Sequence, residues 1–198
     1  MVKTYLDNTK GSSGWSYNRL ELIDAFKIER PGEAERYNPN GYGNKMLLWH
    51  GSRFSNFVGI LSQGLRIAPA EAPKTGYNFD KGVYLASMAE KSSAYCCANI
   101  SNNVGLLLLC EAALGNTKVY SSFYEDAANL PKGCHSTHGM GTRTPDPSKS
   151  VKLDGDITVP SGPVINNPDS RAGIGHDEYV VYNVNQVKIR YLLKVKFN

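Results

Sequence analysis

Apolar and polar residues alternate along residues 187–197. Val187, Ile189, Tyr191, Leu193, Val195 and Phe197 are interleaved with Lys188, Arg190, Lys194 and Lys196. A period of two predicts a half-buried strand with one solvated, basic face. Residues 178–184 form a second β-rich run, and with only Asn185-Gln186 between, the two read as a hairpin. Residues 104–114 are apolar almost throughout, as in a central strand covered on both faces. Residues 46–50 and 83–86 read as further strands.

Helical spacing predicts three helices. Residues 20–30 place Leu22, Ile23 and Phe26 on one side before Pro31-Gly32 stops the run. Residues 56–64 turn Phe57, Ile60 and Leu61 inward and end at Gly64, and residues 87–98 form the third helix. Residues 1–19 read as an N-terminal extension or strand. Residues 38–44 form a turn, residues 68–82 a long irregular loop, and residues 132–164 a loop-dominated stretch with short strands. A long irregular loop in a small domain is more often functional than not. Strands outnumber helices without βαβ alternation, so the expected class is α+β, mainly antiparallel, in one domain over residues 1–198. Gly41-x-Gly43 and Gly173-x-Gly175 lack a third glycine, which argues against a Rossmann unit.

Composition narrows the picture. Apolar residues make up 41% and charged residues 20%, the balance of an ordinary globular chain. No apolar stretch approaches the roughly 20 residues of a membrane span, and residues 1–7 lack a signal-peptide core. An intracellular protein without membrane contact, a monomer, is expected. Cys96, Cys97, Cys110 and Cys134 make a poor disulfide framework and read as reduced thiols. Cys134-His135-x-x-His138 lacks a second ligand pair, so no metal is expected. The net charge of +4 invites a nucleic-acid reading. Part of that excess sits on the alternating strand, where a solvated face explains it, so no direct nucleic-acid binding is expected.

Three local segments carry the candidate chemistry: Leu47-Leu48-Trp49-His50-Gly51-Ser52-Arg53, Lys81-Gly82-Val83-Tyr84-Leu85-Ala86 and His176-Asp177-Glu178-Tyr179-Val180-Val181-Tyr182. With residues 59–69 and 191–198 they resemble the histidine–tyrosine–glutamate signature of the poly(ADP-ribose) polymerases, from about Tyr5 to Asn198. The resemblance implies an ADP-ribosyltransferase fold around an NAD cleft, with NAD as substrate and no metal. The expected reaction transfers ADP-ribose to protein acceptors, the enzyme itself among them, and to growing ADP-ribose chains. Nuclear residence is implied by the same resemblance.

The site residues follow from that resemblance. Glu178 would hold the nicotinamide-ribose 2′-hydroxyl and stabilise the oxocarbenium-like sugar, as carboxylates do in glycoside hydrolysis. Gly51 through its backbone and Ser92 through its hydroxyl would hold the carboxamide, between the rings of Tyr84 and Tyr95. His50 would bind the adenosine ribose, and Ser52, Asn56, Gly59 and Arg66 would line the adenosine half. Tyr77 would lie on the covering loop, and Lys91 near the reacting ribose. Taken singly, each has a plainer explanation: a core histidine, a packed helix tyrosine, a solvated lysine, an edge-strand glutamate.

The chain departs from the family pattern at His176-Asp177, where relatives commonly carry Tyr-Asn, and at Asn78 and Asp80. These positions are expected to face the acceptor. A mono-ADP-ribosyltransferase and a non-catalytic NAD-binding module are the alternatives. No helical regulatory domain precedes the signature in these 198 residues, as in a minimal enzyme or a piece of a longer one.

Overall fold

A computed structural model describes residues 1–11, 20–39, 41–69, 71–72, 77–170 and 173–198. Its strands are β1 (Leu20–Lys27), β2 (Lys45–Gly51), β3 (Val83–Ala86), β4 (Val104–Ala113), β5 (Thr117–Tyr120) and β6 (Ser136–Gly139). They continue with β7 (Arg143–Pro145), β8 (Val151–Leu153), β9 (Ile157–Val159), β10 (Val164–Asn166), β11 (Glu178–Val181) and β12 (Val187–Phe197). The helices are short: α1 (Val2–Thr9), α2 (Glu33–Arg36), α3 (Phe57–Gln63) and α4 (Ala89–Ser93). The class is α+β, as the pattern predicts.

One sheet runs in the order β1-β12-β4-β2-β3-β11-β6-β5, with β9 paired to β2 and β8 to β9. Most pairs are antiparallel; β5–β6 and the single β2–β9 bridge are parallel. The apolar run of β4 has a direct cause. Leu107 and Leu109 pack into one core with Tyr5, Leu6, Trp49, Leu193 and Phe197. Leu108 and Cys110 point to the other face, against Leu48, Phe57, Val187 and Ile189. With both faces covered, no position of β4 can be polar without a partner. The one buried charge there, Glu111, takes Arg190 at 2.7 Å and the Tyr37 hydroxyl at 3.0 Å.

Three expectations about elements need correction. Residues 20–27 form a strand paired to β12, not a helix, with a bulge between Leu22 and Asp24. Ile23 and Phe26, placed on one side with Leu22 by helical spacing, are 43% and 50% exposed. An open edge on β12 supplies a ladder of backbone bonds, which outweighs a weak local helix propensity. The runs at 178–184 and 187–197 are strands but not a hairpin. β11 is saturated by β3 and β6, β12 by β1 and β4, and a 3₁₀ turn at Val184–Gln186 links them across the sheet. The helix expected at 87–98 is only Ala89–Ser93; Cys97, at φ 49°, sits in the left-handed region and ends the turn.

The extension at 1–19 is helical over Val2–Thr9, where a strand was the alternative; residues 12–19 lie outside the described residues. All four cysteines are free. Burial pushes the Cys96 thiol up to about 12 and raises Cys110 further, so both stay protonated. No helix among the described residues is long and apolar enough to cross a membrane.

Candidate active site

Strand order assembles the site. β2, β3 and β11 are neighbours, so His50, Tyr84 and Glu178 come together although they are far apart in sequence. Glu178 stands opposite Ala86, and Ala86 opposite Trp49, the residue before His50. Neighbouring strands lie about 4.8 Å apart, so side chains from all three reach one cleft.

The His50 Nδ1 lies 2.8 Å from the Tyr84 carbonyl oxygen. A carbonyl only accepts, so Nδ1 carries the hydrogen and Nε2 keeps its lone pair as an acceptor. Burial lowers the His50 pKa, opposed by that backbone bond, so the ring is neutral at ordinary pH. The Tyr84 hydroxyl donates to the Asp80 carbonyl at 2.6 Å and accepts from the Phe79 N–H at 2.9 Å. It therefore pins the end of the long loop against β3. Burial raises its pKa, keeping the phenol a donor.

A cleft of about 630 Å³ is lined by His50, Gly51, Tyr77, Asn78, Tyr84, Leu85, Ala86, Lys91, Ser92, Tyr95 and Glu178. Glu178 is 3% exposed at its floor. Its Oε1 lies 2.9 Å from Lys91 Nζ. Desolvation pulls the Lys91 pKa down, but hydrogen bonding and attraction to Glu178 more than offset it, so the ammonium is retained. Lys91 Nζ also sits 5.7 Å from the centre of the Tyr95 ring, which is 53% exposed at the mouth. Tyr84 and Tyr95 both line this cleft, and buried Ser92 lies between Lys91 and Tyr95 in sequence.

Gly51 has a packing reason to be glycine. A Cβ there would lie 1.9 Å from the Ser92 carbonyl oxygen, so the α4 backbone passes directly against β2. The steric demand comes from α4, rather than from space reserved for a ligand.

A second, wider opening of about 1240 Å³ continues from His50, Tyr77 and Tyr84 to Ser52, Asn56, Gly59 and Arg66 on the α3 side. Asn56 donates to the Ser52 hydroxyl at 2.9 Å. Tyr77 lies in both openings, its ring 5.9 Å from that of Tyr84. The covering loop is partly outside the described residues, at 70 and 73–76; Lys81 Nζ ties it together by donating to the carbonyls of Pro69 and Ala72. Every residue named from the sequence for holding NAD lines one of these two openings.

His176 and Asp177 are a correction. Asp177 does not face an acceptor: it is buried, and its carboxylate accepts from His138 Nε2 at 2.9 Å, the Gly141 N–H at 2.9 Å and the Thr144 hydroxyl. Desolvation raises its pKa, and these bonds bring it below the ordinary value. His138 is thereby taken up in the fold, stacked 4.4 Å from Tyr179. His176 turns to Glu90, 3.3 Å away. No group of His, Cys, Asp or Glu among the described residues is disposed to hold a metal. Sequence reasoning missed Glu90 and Arg143, which meet at 3.0 Å beside this cluster. Neither carries a motif, and only the fold brings them together.

The α+β fold brings His50, Tyr84 and Glu178, the three residues of the resemblance, to one long two-part cleft. Comparison with known families agrees: the poly(ADP-ribose) polymerase catalytic domain matches residues 1–197. The chain is 49% identical to poly(ADP-ribose) polymerase 2-A of Oryza sativa, over all of this chain and 30% of that protein. It is 49% identical to poly(ADP-ribose) polymerase 1 of Xenopus laevis, covering 20% of it, and 48% identical to human poly(ADP-ribose) polymerase 2, covering 34%. The chain belongs to the poly(ADP-ribose) polymerase catalytic-domain family. It spans 20–34% of the length of these relatives.

Proposed function

We propose that this chain, as one catalytic domain, breaks the N-glycosidic bond of NAD and transfers ADP-ribose to protein side chains, its own included, and to growing ADP-ribose chains. Nicotinamide leaves as a neutral molecule because the ring nitrogen takes the bonding electron pair and loses its positive charge. The Gly51 backbone and the Ser92 hydroxyl hold the carboxamide, with Tyr84 and Tyr95 on the two ring faces. His50 accepts a ribose hydroxyl through Nε2 and seats the adenosine half along Ser52, Asn56, Gly59 and Arg66. Tyr77 closes over the join.

Glu178 acts where charge develops. Its carboxylate accepts from the ribose 2′-hydroxyl and faces the cation growing at C1′. An acceptor hydroxyl oxygen then bonds to C1′ and gives up its proton to solvent water. Lys91, 2.9 Å away, orients the carboxylate. A preorganised charge of this kind supplies about 3–4 kcal/mol, or a hundredfold to a thousandfold in rate. The observation that carries the reading is the buried Glu178 carboxylate, 2.9 Å from Lys91, in one cleft with His50, Tyr84 and Tyr95. A nuclear setting belongs with it.

Incubation with labelled NAD, followed by gel sizing, tests it. A ladder is expected. A single band would make it a mono-ADP-ribosyltransferase, and no label with intact NAD binding would reduce it to a binding module.

A further inference from the structure

The Lys91–Glu178 ion pair joins two separate backbone segments, α4 and the start of β11. Beside each end lies a second polar residue: Glu90 precedes Lys91, and His176 stands two residues before Glu178. These also meet. His176 Nε2 is 3.3 Å from Glu90 Oε2, and the same oxygen accepts from Arg143 Nη1 at 3.0 Å. A carboxylate only accepts, so the contacting imidazole nitrogen carries a hydrogen.

Arg143 is itself stitched to the approach to β11. Its backbone N–H donates to the Gly175 carbonyl at 3.1 Å, and it forms a bridge with His176. Glu90 is therefore gripped from β7 and from the segment leading into Glu178. The Glu90 side chain is only 12% exposed, unlike the open surface pairs that contribute almost nothing. The backbone at Gly11 closes over it, with a built Cβ 2.8 Å from the carboxylate.

α4 needs such a tie. It has five residues, its N-cap residue Met88 offers no capping side chain, and the first N–H, of Ala89, depends on the Thr9 hydroxyl of α1 at 3.2 Å. A helix that short has little stability of its own. It nevertheless carries both Lys91 and Ser92 into the cleft. A misplacement of about 1 Å at a reacting centre costs up to a hundredfold in rate.

We propose that Glu90 is a positioning residue: clasped by His176 and Arg143, it docks α4 against the approach to β11 and so sets Lys91 Nζ on the Glu178 carboxylate. The clasp rests on the transferase reading of this cleft. It also gives His176 a role in place of acceptor contact: it ties α4 to the strand that bears Glu178.

The test is a double-mutant cycle on nicotinamide release, using Glu90→Ala, Lys91→Met and the double variant. Glutamine would keep an oxygen for both donors, so alanine is the variant that opens the clasp. Glu90→Ala is expected to lower kcat about tenfold with KM for NAD within about threefold. In the Lys91→Met background the same change is expected to cost less than twofold, because its effect passes through Lys91. A kcat within twofold of wild type, or an equal fold-loss in both backgrounds, overturns the proposal. If Glu90→Ala does not fold, His176→Ala takes its place, leaving Glu90 paired with Arg143. A loss of about threefold that vanishes without Lys91 is then expected, and an additive or absent loss overturns the proposal. A wild type that binds NAD but releases no nicotinamide sinks the transferase reading instead. Crystal structures of the two forms read the clasp without turnover: Lys91 Nζ is expected beyond hydrogen-bonding reach of Glu178 in Glu90→Ala, and a retained contact overturns the proposal.

Discussion

At the scale of single residues, Glu178 and His50 make opposite demands on burial. Glu178 is a charged group held at the floor of a cleft by one ammonium, so replacing it removes transition-state stabilisation and leaves Lys91 without its partner. Glu178→Gln is expected to lower kcat a hundredfold or more while the Kd for NAD stays within a few fold, measured by nicotinamide release and calorimetry. Wild-type turnover in that variant would remove Glu178 from the reaction. His50 is held neutral, its pKa lowered by burial, and His176 shifts in the same direction, burial again being the main cause. Below the ordinary imidazole value of 6.5 the unfolded chain binds protons that the folded chain does not. Stability is therefore full above that value and is lost as pH falls through the folded pKa values. Urea denaturation at pH 7.5 and 5.5 is expected to show this loss, and His176→Gln to reduce it; a variant that loses as much as wild type would remove His176 from the effect.

At the scale of elements, the site depends on how closely α4 and β11 are docked to the sheet. Gly51 lets α4 touch β2, and any side chain there meets the Ser92 carbonyl. Gly51→Ala is expected to lower the melting temperature and the affinity for nicotinamide-like inhibitors together, because Ser92 moves with α4; lost affinity at an unchanged melting temperature would place the clash with the ligand instead. Asp177 anchors β11 to the β6–β7 side through His138, Gly141 and Thr144. Asp177→Ala strands a buried N–H and an imidazole, which costs about 3 kcal/mol or more. Asp177→Asn keeps one accepting oxygen for His138 and Gly141 and turns an amide toward the hydroxyl of Thr144, which can accept. Denaturant melts should rank wild type, Asn, then Ala. An alanine variant as stable as wild type would show that the anchor contributes nothing.

For the whole molecule, the question is what drives the cleft into its competent form. A regulator acts by favouring one of two states, and allosteric couplings commonly begin near fivefold. These 198 residues match a catalytic domain alone. The basic strand β12 spends Arg190 on Glu111 and alternates its lysines with core positions. Broken DNA is therefore expected to change the rate of this chain less than about twofold at moderate salt, where non-specific attraction is weak. Nicotinamide release with and without a nicked duplex measures it, and strong stimulation would reveal a DNA-responsive element within the catalytic layers.

The strands β2, β3, β4, β11 and β12 were legible from local pattern, because each buries its apolar residues at a period of two or on both faces. The candidate cleft residues came instead through the family resemblance, carried by the segments around His50, Tyr84 and Glu178; taken singly, none of the three was legible. What the pattern could not contain was pairing. Residues 20–27 look helical alone and become a strand because β12 offers an open edge. The 178–184 and 187–197 runs look like a hairpin and separate because other strands fill both edges of each. Asp177 is expected at the acceptor side and Glu90 carries no motif, yet their partners come from β6, β7 and the loops beside them. A side chain's chemical type is local and can be read from the chain. Its burial and its hydrogen-bond partners are set by segments distant in sequence, and only the folded sheet brings those together.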